Sequence, residues 1–263
     1  MIFPKVLGAE LLKLRRSRMI WLSFLFYLFF GSMAYFVLWM LRNPEAARNL
    51  GLIGQKATFA MSGLSPDWSG LFTLVTELGV AGGMIILSIV VIFLFGREYT
   101  EGTAKNMLAL PIPRGYFVAA KLCVAALWYA LLTAFLLAEC LLIGRLLDLG
   151  APPGGLVARE GGHILVAAAL ILSLQPLVAL VTALSGGYIA PFGYTIATLL
   201  IGNLMIHTGW ARWCPWSIVA LLGGIAGPRQ EGVVLGSCLV MAGTFAIGVA
   251  GTITHQSFAD NCQ

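Results

Sequence analysis

A polar stretch inside an apolar chain holds the residues whose types and spacing most suggest chemistry. Residues 96–115 read GREYTEGTAKNMLALPIPRG and carry five charges and two prolines, although 59% of the chain is hydrophobic. Glu101 and Lys105 have the i,i+4 spacing and the order that favour an ion pair on a helix. The stretch therefore predicts a short, charged helix.

An apolar stripe accompanies these charges. It follows helical spacing and consists of Tyr99, Thr103, Met107 and Leu110. Pro111 and Pro113 then fix the backbone and end the helix. Because an apolar face outside the membrane needs a surface that buries it, the pattern predicts a stiff corner docked on a partner. The alternative is an ordinary solvated, mobile loop.

Two acids fall inside apolar segments, where ionisable groups are costly and often functional. Glu77 lies early in the second apolar segment and Glu139 late in the third. Antiparallel helices would bring both acids to a similar depth near the outer face, where they would line a polar translocation path. The alternative is that both carboxylates reach the headgroups and water at little cost.

Catalytic and metal chemistry is not indicated. His163, His207 and His255 lie near the ends of apolar segments, and no nucleophile-elbow, zinc-protease or GxxxxGK[ST] motif is present. The cysteines occur singly, although a disulfide between Cys140 and Cys214 is an open alternative. We therefore expect no catalytic, cofactor or metal site, and any nucleotide energy must come from another chain.

Composition indicates an all-α polytopic membrane protein. Only 10% of the 263 residues are charged, and the mean hydropathy is +0.92. Apolar runs of roughly 20 residues match the length that a helix needs to cross a bilayer. Of the 16 Lys and Arg residues, five lie within the first 18 residues. They predict a membrane anchor rather than a nucleic-acid patch.

Six transmembrane helices are predicted within a single domain, 1–263. They cover about 19–41, 73–95, 117–143, two spans within 163–206 that SGGYIAP separates, and 232–254. A basic interfacial helix is expected within 1–18, and a cytoplasmic segment at 96–116. Segment 208–231 contains an apolar run too short to cross, which suits a re-entrant outer segment or an aromatic belt.

The distribution of basic residues predicts the orientation. Nine Lys and Arg fall in the N-terminus and in 96–121, against seven spread over longer loops on the other side. The positive-inside rule therefore predicts that both termini lie in the cytoplasm. We expect the protein in the plasma membrane.

The polar stretch resembles the segment after the second helix in membrane subunits of the ABC-2 family of ATP-driven transporters. That segment commonly reads E-x-x-x-G-T, then L-x-x-P-x-S-R, then a Lys. The matching residues are Arg97, Glu98, Tyr99, Glu101, Gly102, Thr103, Leu108, Leu110, Pro111, Arg114 and Lys121. Pro113 stands where the family often has Ser or Thr. The N-terminal helix, six spans and outer segment extend the resemblance over most of the chain, and CPWSIVALL at 214–222 is similar to bacitracin- and lantibiotic-resistance permeases.

The resemblance implies the permease subunit of an ABC exporter for an antimicrobial peptide, drug or lipid-like molecule. It implies two separate ATPase subunits that bind ATP and Mg, and a second permease, identical or homologous. The implied coupling residues are Arg97, Glu98, Tyr99, Glu101, Gly102, Thr103, Lys105, Met107, Leu110, Pro111, Pro113 and Arg114. An alternative is an ABC-2-like subunit with a signalling or mechanical role. An intramembrane enzyme would need a reactive constellation that the sequence lacks.

Overall fold

The protein is described by a computed structural model that covers residues 3–51, 63–102, 113–223 and 235–258. Within these ranges the chain forms helices and no strand. In chain order they are α1 (Phe3–Arg15), α2 (Met19–Arg42), α3 (Pro44–Asn49), α4 (Trp68–Thr100), α5 (Arg114–Leu146), α6 (Leu156–Ser185), α7 (Ile189–Met205), a 3-10 turn (Ala211–Trp213), α8 (Pro215–Gly223) and α9 (Leu235–Phe258).

Five of these helices, α2, α4, α5, α6 and α9, are long and apolar enough to cross a membrane. The multi-pass, all-helical class predicted from composition is therefore confirmed. The predicted fifth span corresponds to α7, which is apolar but has 17 residues, about 25 Å at 1.5 Å per residue. The described residues thus contain five helices of crossing length and one shorter apolar helix, and the count of six spans stays a prediction.

The helices α4 and α5 are longer than the spans predicted for them. Each has 33 residues, which corresponds to about 50 Å. Asp67 caps the start of α4 by accepting a hydrogen bond from the Gly70 N–H at 3.0 Å, and the Ser65 hydroxyl donates to the same carboxylate at 2.6 Å. The Ser65 and Gly70 hydrogen bonds hold the pKa of Asp67 below its ordinary value.

Helix α4 lies at the centre of the bundle. It packs against α2, α5, α6, α7 and α8, and Leu71, Leu87, Val91 and Phe95 along it are fully buried. Because lipid tails are as apolar as these side chains, van der Waals packing and close helix approach hold such a bundle together. The core is therefore organised around the helix that leads directly into the polar stretch.

Four segments meet at one end of the bundle, called here the N-terminal end. α1 packs along the start of α5, and the Phe3 and Tyr116 rings lie 6.0 Å apart. The Thr100 hydroxyl at the end of α4 pairs with the Tyr188 hydroxyl in the α6–α7 turn at 2.9 Å. The Arg114 guanidinium donates to the carbonyl of Gln256 near the end of α9. The start of α1, the two described ends of the polar stretch, the SGGYIAP turn and the end of α9 thus lie on the same side.

The opposite end, called the far end, joins the start of α4 to the end of α5. The Trp68 indole N–H donates to the Gly150 carbonyl at 3.2 Å. The short helix α8 lies toward this end, where it packs against α7, α6 and α4, and Val219 in it is fully buried. α8 has nine described residues, too few to cross a bilayer. The re-entrant segment expected over 208–231 continues outside the described residues and stays a prediction. Cys140 and Cys214 are both free thiols.

The crossing of α6 and α9 is set by a glycine. A Cβ at Gly248 of α9 would lie 2.6 Å from the backbone of Pro176 and Leu177 in α6. The Thr252 hydroxyl donates to the Pro176 carbonyl at 3.5 Å. A residue without a side chain thus lets the two backbones touch, as small residues do between membrane helices.

Replacing Gly248 with Ala should separate α6 from α9, because backbone atoms cannot move aside as a flexible side chain can. We expect the free energy of unfolding in detergent to fall by about 1 to 3 kcal/mol. Gly243→Ala on the same helix is the matched control, because a Cβ there would meet nothing within 4 Å. Equal melting temperatures for the two variants would contradict this account of the crossing.

Candidate functional site

The candidate site lies at the N-terminal end, where α4 leads into the polar stretch and α5 leads out of it. α4 ends at Thr100 and α5 begins at Arg114. Pro113 occupies the N-cap position of α5 with φ −56° and ψ 127°, the extended backbone that proline favours. The site is therefore framed by two long helices that continue into the centre of the bundle.

An ion pair between the buried Lys121 and Glu98 joins α5 to α4 in this region. The Lys121 ammonium lies 2.5 Å from Glu98 Oε2, and its side chain is 1% exposed. It also donates to the Leu94 carbonyl at 2.8 Å and lies 5.0 Å from the centre of the Phe95 ring. A buried cation needs such partners, because an uncompensated charge in an apolar interior costs several kcal/mol.

Helix α1 adds a second pair of charges. Lys13 Nζ lies 2.5 Å from Glu10 Oε1 and 3.6 Å from Glu98 Oε1. Glu10 is 2% exposed, so it belongs to the packed face of the helix. Glu10, Lys13, Glu98 and Lys121 form the charge cluster, in which two acids and two bases join α1, α4 and α5.

Sequence reasoning missed Glu10 and Lys13. The buried face of α1 is Val6, Glu10 and Leu14, at four-residue spacing, so the acid occupies the middle of an otherwise apolar stripe. An acid at such a position signals a buried partner across the interface, and here that signal was available in the sequence. Lys121 was identified only through the resemblance to ABC-2 permeases. Its partner Glu98 lies 23 residues earlier in the chain, on a different helix.

The exposed charges of the polar stretch form a separate pair. Arg97 Nε donates to Glu101 Oε1 at 2.8 Å, and the two side chains are 33% and 49% exposed. Glu101 therefore has Arg97, four residues before it, as an ion-pair partner. Lys105, its predicted partner, lies outside the described residues. Unlike the Glu98–Lys121 pair, this pair is reachable by another molecule.

Glycine ends the first part of the stretch. Gly102 has φ +67°, the left-handed conformation that terminates helices and that glycine adopts without strain. Tyr99 therefore belongs to the last turn of α4. Its side chain shares a hydrogen bond with that of Gln256. The other members of the predicted stripe and corner, Thr103, Met107, Leu110 and Pro111, lie outside the described residues.

The two intramembrane acids have different surroundings. Glu139 on α5 is 8% exposed, and its Oε2 has no hydrogen-bond partner among the described residues. Its carboxyl group packs on α2 at Gly31, where a Cβ would overlap it. Glu77 on α4 is half-buried. In this structure Glu139 is thus covered by α2.

A polar seam continues from Glu139 along the contact between α2 and α5. The Tyr27 and Tyr129 hydroxyls hydrogen bond to each other, and the Trp128 indole N–H donates to the Ser23 hydroxyl at 3.2 Å. Beside the tyrosines lies a cavity of about 10 Å³, large enough for about one water molecule. Among the described residues no group of three His, Cys, Asp or Glu side chains could hold a metal ion.

Comparison with known proteins identifies the family of the chain. Residues 6–202 match the sequence model described as ABC-2 family transporter protein. The bacitracin transport permease protein BCRB of Bacillus licheniformis is 25% identical over 174 residues, which are 66% of this chain and 83% of that protein. The match with the family covers most of the helices described above and includes both sides of the candidate site. The chain belongs to the ABC-2 family of transporter proteins, as a membrane subunit.

Proposed function

We propose that this chain is the permease of an ATP-driven exporter and that a separate ATPase docks at the N-terminal end of the bundle. The observation that carries the proposal is the charge cluster, which ties α1, α4 and α5 together beside the polar stretch. The described residues contain no nucleotide-binding motif, and ABC-2 permeases generally work with ATPase partners. Two ATPase subunits, binding ATP and Mg, would supply the energy.

The proposed orientation puts the N-terminal end in the cytoplasm. The segments that the structure gathers at this end carry most of the basic residues counted for the positive-inside rule. With α7 counted as a crossing, the chain passes through the membrane six times, which agrees with the position of the end of α9 beside Arg114. The segment around α8 then dips into the bundle from outside.

The charge cluster suits the transmission of force between domains. An ion pair without solvent cannot be separated at low cost, so a push on the polar stretch moves α4 and α5 together. Helix α1 follows, because Lys13 contacts Glu98. The exposed Arg97–Glu101 pair beside the cluster is the part that a partner surface would contact.

The substrate is an amphipathic molecule such as an antimicrobial peptide, a drug or a lipid-like compound. The name of the Bacillus licheniformis relative, a bacitracin transport permease, supports this class. A second permease, identical or homologous, would complete the path, with Glu77 and Glu139 as its acidic groups. The second candidate is an ABC-2-like subunit that signals or moves a mechanical load, and substrate-dependent ATP hydrolysis in proteoliposomes separates the two.

Reversing the exposed charge tests the docking surface. The test variant combines two changes. Glu101→Lys removes the partner of Arg97 and places like charges at the contact. Gly102→Trp puts a bulky side chain on a left-handed backbone that favours glycine. We expect normal membrane insertion, with partner affinity lower by about 1 to 3 kcal/mol, roughly five- to 150-fold. The measurement is copurification of the ATPase in mild detergent.

Glu45→Lys is the control for this variant, because Glu45 is an exposed acid on α3 at the far end. It makes the same change in charge where no ATPase should bind. Full copurification and transport by the Glu101→Lys, Gly102→Trp variant would show that the polar stretch is a solvated loop.

Variants of the charge cluster should separate its effect on stability from its effect on coupling between ATP hydrolysis and transport. Lys121→Met alone removes the nearest charge partner of Glu98, which keeps Lys13 at 3.6 Å, and should lower the free energy of unfolding by about 1 to 3 kcal/mol. Glu98→Gln combined with Lys121→Met removes both charges and should recover most of that loss. The double variant should bind the ATPase yet hydrolyse ATP with reduced transport. If the stable double variant transports at the wild-type rate, the charge cluster contributes to packing and not to coupling.

The intramembrane acids are tested by neutral replacements. Glu77→Gln and Glu139→Gln keep the size of each side chain and remove its charge. If these acids line the translocation path, substrate-stimulated ATP hydrolysis and transport should change while expression stays normal. Wild-type behaviour of both variants would show that neither acid takes part in transport.

A further inference from the structure

The last turn of α9 contacts both described ends of the polar stretch. The Tyr99 side chain, in the last turn of α4, shares a hydrogen bond with the Gln256 side chain. The Arg114 guanidinium, at the start of α5, donates to the backbone carbonyl of the same Gln256. One residue of α9 therefore links the helix that leads into the polar stretch to the helix that leads out of it.

The two contacts of Gln256 use groups that need partners. α9 ends at Phe258, and carbonyls in the last turn of a helix have no N–H partner within that helix. The Arg114 guanidinium supplies a donor to one of them, and its charge also offsets the negative end of the helix dipole. Tyr99, Arg114 and Gln256 are all half-buried. Their hydrogen bonds are therefore partly shielded from water, which makes them electrostatically stronger.

The contacts of Gln256 adjoin the charge cluster. Tyr99 directly follows Glu98 on α4, and Lys121 lies about two turns after Arg114 on α5. The ion pair between Glu98 and Lys121 already joins these two helices. Gln256 thus attaches α9 to a pair of helices that are joined to each other at the same end of the bundle.

Helix α9 in turn packs closely along α6. A Cβ at Gly248 would lie 2.6 Å from the backbone of α6, and a Cβ at Gly251 would lie 2.8 Å from the Leu180 side chain. Close-packed surfaces of this kind transmit strain, because they have no free space in which to absorb it. A displacement at the end of α9 should therefore be passed on to α6.

We propose that Gln256 is a positioning residue that makes α9 move together with α4 and α5 when the ATPase acts on the polar stretch. The inference rests on the proposed function, in which the ATPase docks at this stretch. The side-chain amide of Gln256 follows the end of α4 through Tyr99, and its carbonyl follows the start of α5 through Arg114. Motion that begins at the polar stretch thereby reaches α9 and α6.

The side chain of Gln256 can be tested separately from its carbonyl. Gln256→Leu has a similar size and keeps the carbonyl that accepts from Arg114, but it loses the hydrogen bond to Tyr99. Tyr99→Phe removes the same hydrogen bond from the other side. The amides in the last turn of α9 should then exchange with solvent roughly two- to tenfold faster, the factor expected for loss of one hydrogen bond. Because both changes remove one shared bond, the double variant should match either single variant.

The response to ATP is measured by hydrogen exchange with mass spectrometry on the full chain, purified in mild detergent together with its ATPase. Samples are compared before and after addition of MgATP and vanadate. In the wild-type complex, exchange should change in peptides from the ends of α4 and α9 and from the start of α5. In Gln256→Leu and Tyr99→Phe the change should persist in α4 and α5 and be lost from α9. A residue that only stabilises the fold would not divide the response in this way.

Thr254→Val is the matched control. Thr254 is an exposed residue near the end of α9, and its hydroxyl donates to the carbonyls of Ala250 and Gly251 within the same helix. The variant therefore removes a side-chain hydrogen bond without detaching α9 from α4. Its response to MgATP and vanadate should equal that of the wild type.

The outcomes separate this inference from the proposed function. If α4 and α5 respond in the wild-type complex but α9 does not, or if α9 responds equally in Gln256→Leu, the role of Gln256 is wrong and the docking of the ATPase stands. If no ATPase copurifies, or if neither α4 nor α5 responds, the proposed function is wrong and the role of Gln256 falls with it.

Discussion

The arrangement at the N-terminal end depends on one requirement, that the buried ammonium of Lys121 be neutralised. Its side chain has almost no access to water, and Glu98 supplies the opposite charge at 2.5 Å. Because both residues sit on long helices that reach the centre of the bundle, the pair fixes how α4 and α5 approach each other on either side of the polar stretch. α1 packs beside this ion pair and brings an oppositely charged pair of its own, Glu10 with Lys13.

The helices are held together by different kinds of contact. α6 and α9 touch backbone to backbone at Gly248, a contact that allows little sliding. α2 contacts α5 through aromatic edge contacts such as Phe24 with Trp128 and through hydrogen bonds in a polar seam. At the polar stretch, α4 and α5 are joined by the Glu98–Lys121 ion pair, so a motion that begins there would move these two helices together.

Hydropathy predicted the helices well, because apolar length is a local property of the chain. The first span was expected over 19–41, and α2 covers Met19–Arg42. The ends of α4 were missed, because the Asp67 cap and the Glu98–Lys121 pair extend the helix beyond its apolar part. The partners of Lys121 could not be read from one sequence, since they depend on which helices become neighbours. The expected stripe through Tyr99 stays a prediction, because Thr103, Met107 and Leu110 lie outside the described residues.

The surplus length of α4 and α5 has a consequence for the choice of membrane. Each helix is about 50 Å long, whereas the hydrocarbon core of a bilayer is about 30 Å thick. Roughly 20 Å of each helix therefore lies in the headgroup layers or beyond them. A change of a few ångströms in bilayer thickness alters which turns are covered by lipid, while the packing between the helices stays the same. Hydrophobic mismatch should then be absorbed at the helix ends, and the central core can work unchanged in membranes of different thickness.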